Sequence, residues 1–343
     1  MADTYIERIN KHSVYLQRVA TKLLKDDVYP TLQEAYKAVR LVLLEYGDIN
    51  TMTDVNRVNA AIRKAINETA TFFEATEQLE VIAVNEANYT AALLTTTSTA
   101  VVTAPSEPKT VRYVSQAIMS LKTGDKVSAN IWPKFVQAYK AKMSERYNSI
   151  ITNAYSESLS TGKMATLGQL TKQMRDLNQG IQRSEAEALF RTGVSHYAAQ
   201  ANRLMALDNS DIIDLEIPIV TFDNRTSDIC ISINAKYPKG WKAGESPIGY
   251  PPYHYQCRTV IGYLLEGQTE LDGTRATKGA SGGKQIEANT PFAKWLRTQP
   301  KSFVVETLGK KRADLFLEGK LPLANLTDRY LNPLTIDELK LKD

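Results

Sequence analysis

The stretch Asp211-Ile-Ile-Asp-Leu-Glu-Ile-Pro-Ile-Val-Thr-Phe-Asp-Asn-Arg-Thr-Ser-Asp-Ile-Cys-Ile-Ser-Ile-Asn-Ala-Lys-Tyr-Pro-Lys-Gly-Trp241 marks the point where the chain changes character. Upstream, apolar residues recur at helical spacing. From Ile212 on, β-branched residues alternate with turn formers, which predicts short strands and loops up to about Leu264. Both cysteines of the chain, Cys230 and Cys257, fall in this region, as does His254, one of only three histidines.

Working outward toward the N-terminus, the pattern is helical. Leu32, Ala35, Val39, Val42, Leu43 and Tyr46 form one apolar stripe. Pro30 suits the first turn of that helix and Gly47 its end. Val55, Val58, Ile62 and Ile66 make a second stripe, and Phe72 to Leu93 a further helix. Thr95 to Pro108, rich in Thr, Ser and Pro, reads as a linker or exposed loop. Helices are predicted again over Val111–Leu121 and from Ile131 to about Leu159, with Gly162 as a stop. Thr166 opens a short helix. Ser184 and Glu187 read as the capping box of a longer one, Glu185 to Leu207. Downstream, Gly267 to Gly283 has no apolar period and reads as a flexible loop. Helical patterning returns at Pro291–Trp295 and Lys301–Phe316.

The expected fold class is therefore mainly α, a helical N-terminal half with a small α+β module of short strands and loops, followed by C-terminal helices. The expected divisions are 1–95 helical, 96–110 linker or loop, 111–183 helical, 184–265 α+β, 266–290 flexible loop and 291–343 helical.

Composition narrows the function classes. The chain has 343 residues, 43% hydrophobic and 23% charged, enough for one or two cores at about 100–200 residues each. A formal charge of +4 is too small for a protein that coats DNA. Two cysteines cannot build a disulfide scaffold. Met1 to Asn10 is charged and polar, unlike a secretory signal, and no stretch approaches 18 consecutive apolar residues, so no membrane span is expected. The expected setting is cytosolic, or a compartment assembled in the cytosol, where thiols stay reduced. No phosphate-binding loop, dinucleotide fingerprint or HExxH motif occurs.

Chemistry concentrates in Asp223-Asn-Arg225-Thr226-Ser-Asp228-Ile-Cys230 and Pro251-Pro252-Tyr-His254-Tyr-Gln-Cys257-Arg258. Cys230, His254 and Cys257 supply three ligands of the kind zinc favours, with Asp228 or Asp223 as a fourth. The usual Cys-x-x-Cys half is missing. Three other readings stay open: two packed thiols, a disulfide, or a Cys–His nucleophilic pair. Asp223, Arg225 and Thr226 form a polar turn that fits either a phosphate or an Asp capping its own backbone. Pro251 and Pro252 restrict the backbone ahead of His254. His196 reads as a packed or half-exposed helix residue. Lys310, Lys311 and Arg312, with Lys236, Lys239 and Lys242 around Trp241, are candidates for weak contact with DNA phosphates.

Taken together, Arg191-Thr192 on a helix, Asp223-x-Arg225-Thr226 with Cys230 beyond it, and Pro252-x-His254-x-x-Cys257-Arg258 resemble the phage Mu F-like minor head proteins, the phage head morphogenesis family. The likeness runs over about Ser184 to Gly262. It continues in Phe292, Trp295, Gln299-Pro300, Phe303, Leu308-Gly309, Arg312, Leu315-Phe316, Gly319-Lys320 and Leu334 to Leu339. Thr259 stands where many members have a second cysteine, and Asp228-Ile229 where many have Cys or Pro. The resemblance implies a low-copy virion protein, made in the host cytoplasm and held inside the head near the portal vertex. It implies contact with portal protein, and with scaffold or capsid protein, in head assembly, DNA packaging or genome ejection. It implies no enzymatic activity. The alternatives are an internal DNA-contacting protein ejected with the genome, and an enzyme such as a nuclease or transferase.

Overall fold

The computed structural model describes residues 4–46, 49–123 and 126–339. Gly47, the expected helix stop, lies outside them. The chain is mainly helical, with small sheets of short strands. Among the described residues no helix is long and apolar enough to cross a membrane.

The chain divides into two compact units, 1–18, 80–129 and 192–343 in one, 19–79 and 130–191 in the other. The boundaries fall inside α1 (Tyr5–Leu23), α4 (Phe73–Thr97), the strand Lys126–Ile131 and α8 (Arg183–Asp208). The first half of the sequence thus contributes to both units.

The second unit is a helix bundle. Leu32, Ala35, Val39 and Leu43 of α2 (Tyr29–Glu45) are buried, as are Val55, Val58, Ile62 and Ile66 of α3 (Met52–Thr69). Each of these Val, Leu and Ile side chains withdrawn from water contributes about 1.5–3 kcal/mol before entropy. Both stripes therefore form as their spacing predicts. Thr51 and Asp54 close a capping box at the start of α3. In α6 (Trp132–Thr161), Trp132, Tyr139 and Tyr147 enter the same core, and Gly162, at φ 70°, ends the helix. Thr166 caps α7 (Leu167–Leu177) in a box with Gln169. Ser184 is no cap. A single π turn, Asn178–Gln182, carries α7 directly into α8. Glu187 is instead engaged by the Tyr29 hydroxyl and Arg183.

The first unit holds the strands. β3 (Ile213–Ile219) pairs antiparallel with β6 (Val260–Leu265), Glu216 opposite Tyr263, and with the short β5 (Trp241–Lys242). Gly240, at φ 70°, leads into β5 at a point where a Cβ would lie 1.9 Å from the Glu216 carbonyl oxygen. Only glycine fits there. Ile6, Ile9 and Leu93 pack on Ile217, Ile219 and Leu264 of this sheet.

Three expectations change in this unit. Residues 266–290 are not a structureless loop: β7 (Thr274–Gly279) and β8 (Gly282–Glu287) form a hairpin, and β4 (Phe222–Asp223) runs parallel to β7. The span 111–183 is not wholly helical. α5 (Glu107–Gln116) gives way to the two-stranded ribbon β1 (Ile118–Thr123) and β2 (Lys126–Ile131). The linker expected at 96–110 is loop only between α4 and α5, and Thr103 is fixed to the Asn209 side chain through both its N–H and its carbonyl.

A second core surrounds α9 (Asp228–Lys236). Ile229, Cys230, Ile231 and Ile233 pack with Phe222, Tyr253 and Cys257, and with Phe292, Trp295, Phe303, Val304 and Phe316 of the C-terminal helices. These helices are α10 (Phe292–Arg297), α11 (Lys301–Leu308) and α12 (Lys310–Leu317), the last two separated by Gly309.

Candidate metal centre

β3 delivers the chain to a turn that sets the site. The Asp223 carboxylate accepts the Arg225 N–H at 3.0 Å and the Thr226 hydroxyl at 3.1 Å, and Thr226 also donates to the Thr221 carbonyl. This is the self-capping turn, not a phosphate cradle. Arg258 grips the same carboxylate through two nitrogens at 2.6 and 2.8 Å. Burial opposes the Asp223 charge, but the Arg258 guanidinium and the turn bonds outweigh it and hold the carboxyl below its usual range. The pair ties the segment carrying Cys230 to the segment carrying Cys257.

Ser227 caps α9 by accepting the Cys230 N–H. This places Cys230 in the first turn, buried and facing the opposite segment. That segment is held from α8: Thr192 accepts the Gln256 N–H at 2.9 Å, and Ser195 donates to the Cys257 carbonyl at 3.1 Å. Gln256 takes φ 58°, an uncommon value for a residue with a Cβ. The bond between Pro251 and Pro252 is cis.

Cys230, His254 and Cys257 then meet, their donor atoms all within 4.8 Å of one another. The two sulfurs are 3.7 Å apart, and Cys230 Sγ is 3.2 Å from His254 Nε2. Both thiols are free. A disulfide needs about 2.05 Å. Two thiolates on one tetrahedral zinc, with Zn–S of about 2.3 Å, stand about 3.8 Å apart, and a sulfur and a nitrogen about 3.6 Å. The sulfur spacing matches the metal-bound edge, and the sulfur–nitrogen distance is shorter than its edge by about 0.4 Å. His254 Nδ1 lies 2.8 Å from the Tyr255 carbonyl, which can only accept. A proton therefore sits on Nδ1, and Nε2 faces the sulfurs: it carries a second proton when the ring is charged and offers its lone pair when the ring is neutral, the orientation of a metal-ligating histidine.

The electrostatics agree. Burial raises the cost of ionising Cys257, but the hydrogen bond from Cys230 and the charge of His254 bring its thiol well below the usual range. The bond with Cys257, with burial, pushes Cys230 well above it. The pair gives up one proton readily and keeps the second. Burial disfavours a charged His254, yet the neighbouring Cys257 and the Tyr255 carbonyl raise its pKa. A dication would offset both thiolates. Ser227 Oγ, 2.8 Å from His254 Nε2, and Thr259 Oγ1, 3.1 Å from Cys230 Sγ, complete the surroundings. The cavity here is about 20 Å³.

Other candidates fall elsewhere. Asp228 is not part of the cluster; it pairs with Arg312, whose second nitrogen reaches the Leu334 carbonyl. Burial raises the Asp228 pKa while Arg312 opposes it. Arg312 is thus engaged within the fold, and Lys236 is bound to Thr327 and the Asp328 carbonyl. Lys310, Lys311, Lys239 and Lys242 are exposed. Arg191 belongs to the helical unit, where it donates to Thr21. His196 is buried, not half-exposed. Sequence reasoning passed over His12, whose ring stacks on Tyr89 and whose Nε2 lies 2.6 Å from the buried Glu86. The pair is 74 residues apart, and no local pattern announces it. Comparison of the chain with family models, curated proteins and solved structures finds no match.

Proposed function

We propose that the chain is a minor head protein of a tailed phage, attached at the portal vertex, whose C-terminal module is held together by zinc on Cys230, His254 and Cys257. One observation carries this reading. Most residues of the family-like motif, which runs from Arg191 to Arg258, converge on one small region: Asp223 on Arg258, Thr192 on Gln256, and Cys230, His254 and Cys257 on one another, while Arg191 bonds Thr21 in the helical unit. Motif residues that share a single structural job belong together for a physical reason. The role of the ion is structural. Cys230 and Cys257 are buried, and the cavity beside Cys230 and His254, about 20 Å³, has room for an ion or a water; thiols closed off in this way favour this role over a Cys–His nucleophile, which must meet its substrate. The dication would supply cross-linking between α9 and the His254–Cys257 segment. Arg312 pairs with Asp228 within the fold, which leaves the exposed Lys310 and Lys311 as the better placed of the candidates for DNA contact.

Two measurements test the proposal. Purified from cells grown with zinc, the full chain is expected to carry one zinc per molecule by elemental mass spectrometry, and Cys257→Ser to carry none. Co-expressed with the portal protein from the same genome, it is expected to co-purify with the portal ring in moderate salt. A metal-free wild type removes the zinc centre, and failure to co-purify removes the portal assignment.

A further inference from the structure

A second site lies on α8, away from the cysteines. His196, Gln200 and Arg203 follow one another at four- and three-residue spacing on one helix face and line a cleft of about 600 Å³. That volume is within the range of ligand sites, about 300–1,000 Å³. The facing walls come from the 247–253 loop, from Arg329 and Tyr330, and from Ile118 of β1.

The floor is polar and incompletely bonded. His196 is 1% exposed, and its Nε2 has no hydrogen-bond partner. Burial lowers its pKa to about 4, against a bond to the backbone of Ala117, so the ring is neutral at pH 7. The Nε2 is then an unsatisfied acceptor enclosed among the described residues. Arg203 Nε is likewise unpartnered, and its guanidinium lies 4.5 Å from the centre of the Tyr250 ring. Arg329 lies at the same distance over Tyr330. Among the described residues two guanidiniums line the cleft and no carboxylate does. Glu216 stands behind Tyr250, bound by the Tyr250 hydroxyl and the Trp241 indole.

The mouth is apolar. Ile118 is 66% exposed, Val127 56% and Tyr330 60%. Ile118 and Val127 sit on the β1–β2 ribbon, which has no third strand among the described residues. Met119 and Leu121 of β1 are buried, so the ribbon is anchored on one face and exposed on the other.

We propose that this cleft docks an extended segment of a partner protein carrying an acidic side chain between apolar residues. The carboxylate meets Arg203 and Arg329. The flanking apolar side chains cover Ile118, Val127 and Tyr330, and the open edge of β1 offers strand addition. A DNA phosphate would also attract the arginines, but it has nothing to cover the apolar mouth of Ile118, Val127 and Tyr330. The proposal does not depend on the metal centre.

The test uses the full chain and a random dodecapeptide library in mRNA display. Selection is expected to enrich Asp or Glu flanked by aliphatic or aromatic residues. The consensus peptide, labelled with fluorescein, is expected to lose about tenfold or more in affinity when its acid becomes the amide, and as much against Arg203→Gln. Ile118→Glu, at an exposed position that leaves folding intact, is expected to weaken binding similarly. Failure to enrich any peptide, a consensus without an acid, or binding that survives Ile118→Glu would overturn the proposal. So would displacement of the peptide by equimolar duplex DNA.

Discussion

Ser227 occupies the position three residues before Cys230, where a Cys-x-x-Cys pair would begin, and its hydroxyl already lies 2.8 Å from His254 Nε2. A thiolate there would add a fourth soft ligand beside the three present. Ser227→Cys is therefore expected to bind zinc at least about tenfold more tightly than the wild type, measured by competition with a chromophoric chelator. Cobalt substitution is expected to show stronger sulfur-to-metal charge transfer in the variant. Unchanged affinity would mean that position 227 does not face the ion. The rare residue types made this site legible in sequence: two cysteines and a histidine in one turn-rich segment left few other pairings. The fate of Asp228 was not legible, because its partner Arg312 is 84 residues away. His196 gives a second prediction at this scale. Its folded pKa, about 4, is below the ordinary 6.5. The unfolded chain therefore takes up a proton that the folded one refuses, so this stability is complete above pH 6.5 and is lost as pH falls toward 4. The full loss is about 3 kcal/mol, of which about 2 is gone at pH 5. Between pH 7.5 and pH 5, urea denaturation is expected to show the wild type losing about 2 kcal/mol more than His196→Gln. Equal losses would mean that His196 titrates freely.

Among elements, the helices were legible and the hairpins were not, for a reason visible in their buried faces. In α3 the inward positions are Val55, Val58, Ile62 and Ile66, a stripe with one period. In β7 the buried positions are Arg275 and Thr277, with only Ala276 and other small or charged residues around them. Alternation is present in the burial, but hydrophobicity does not report it. Arg275 is buried because its guanidinium lies 3.9 Å from the centre of the Phe222 ring and it donates to the Val220 carbonyl. Ser184 and Glu187 carried a cap signature that the continuous helix overrode, because Tyr29 and Arg183 took the glutamate. Gly240 tests how tightly β5 is set against β3. Alanine would have to adopt a left-handed conformation, at about 1–2 kcal/mol, and would place Cβ 1.9 Å from the Glu216 oxygen. Gly240→Ala is expected to cost at least about 2 kcal/mol in thermal denaturation. A variant as stable as the wild type would show that β5 can shift away from β3 at no cost.

Across the whole molecule, the cysteine centre and the C-terminal helices share one core. α9, which carries Cys230, packs against Phe292, Trp295, Phe303 and Phe316, and the side chain of Ser232 bonds to the Ala324 carbonyl and to Thr327. An ion on Cys230, His254 and Cys257 therefore acts on more than its own segment. Binding to the folded state alone stabilises it by RT ln(1 + [L]/Kd), about 4 kcal/mol when zinc is at a thousand times its Kd. Removing the ion withdraws that stabilisation where the core depends on the Cys230–Cys257 link. The helical unit of α2, α3 and α6 has its own buried stripes and contains no residue of the cluster. Amide exchange then separates local from global effects. After chelation, protection is expected to fall in α9, in 254–264 and in α10 to α12, while the buried faces of α2, α3 and α6 keep theirs. Cys257→Ser is expected to give the same map without a chelator, and chelator added to that variant to change nothing further. Uniform loss of protection over the whole chain would show that the ion holds the entire fold. No loss anywhere would mean that the thiols and imidazole pack without it, and the centre would then be an ordinary buried cluster.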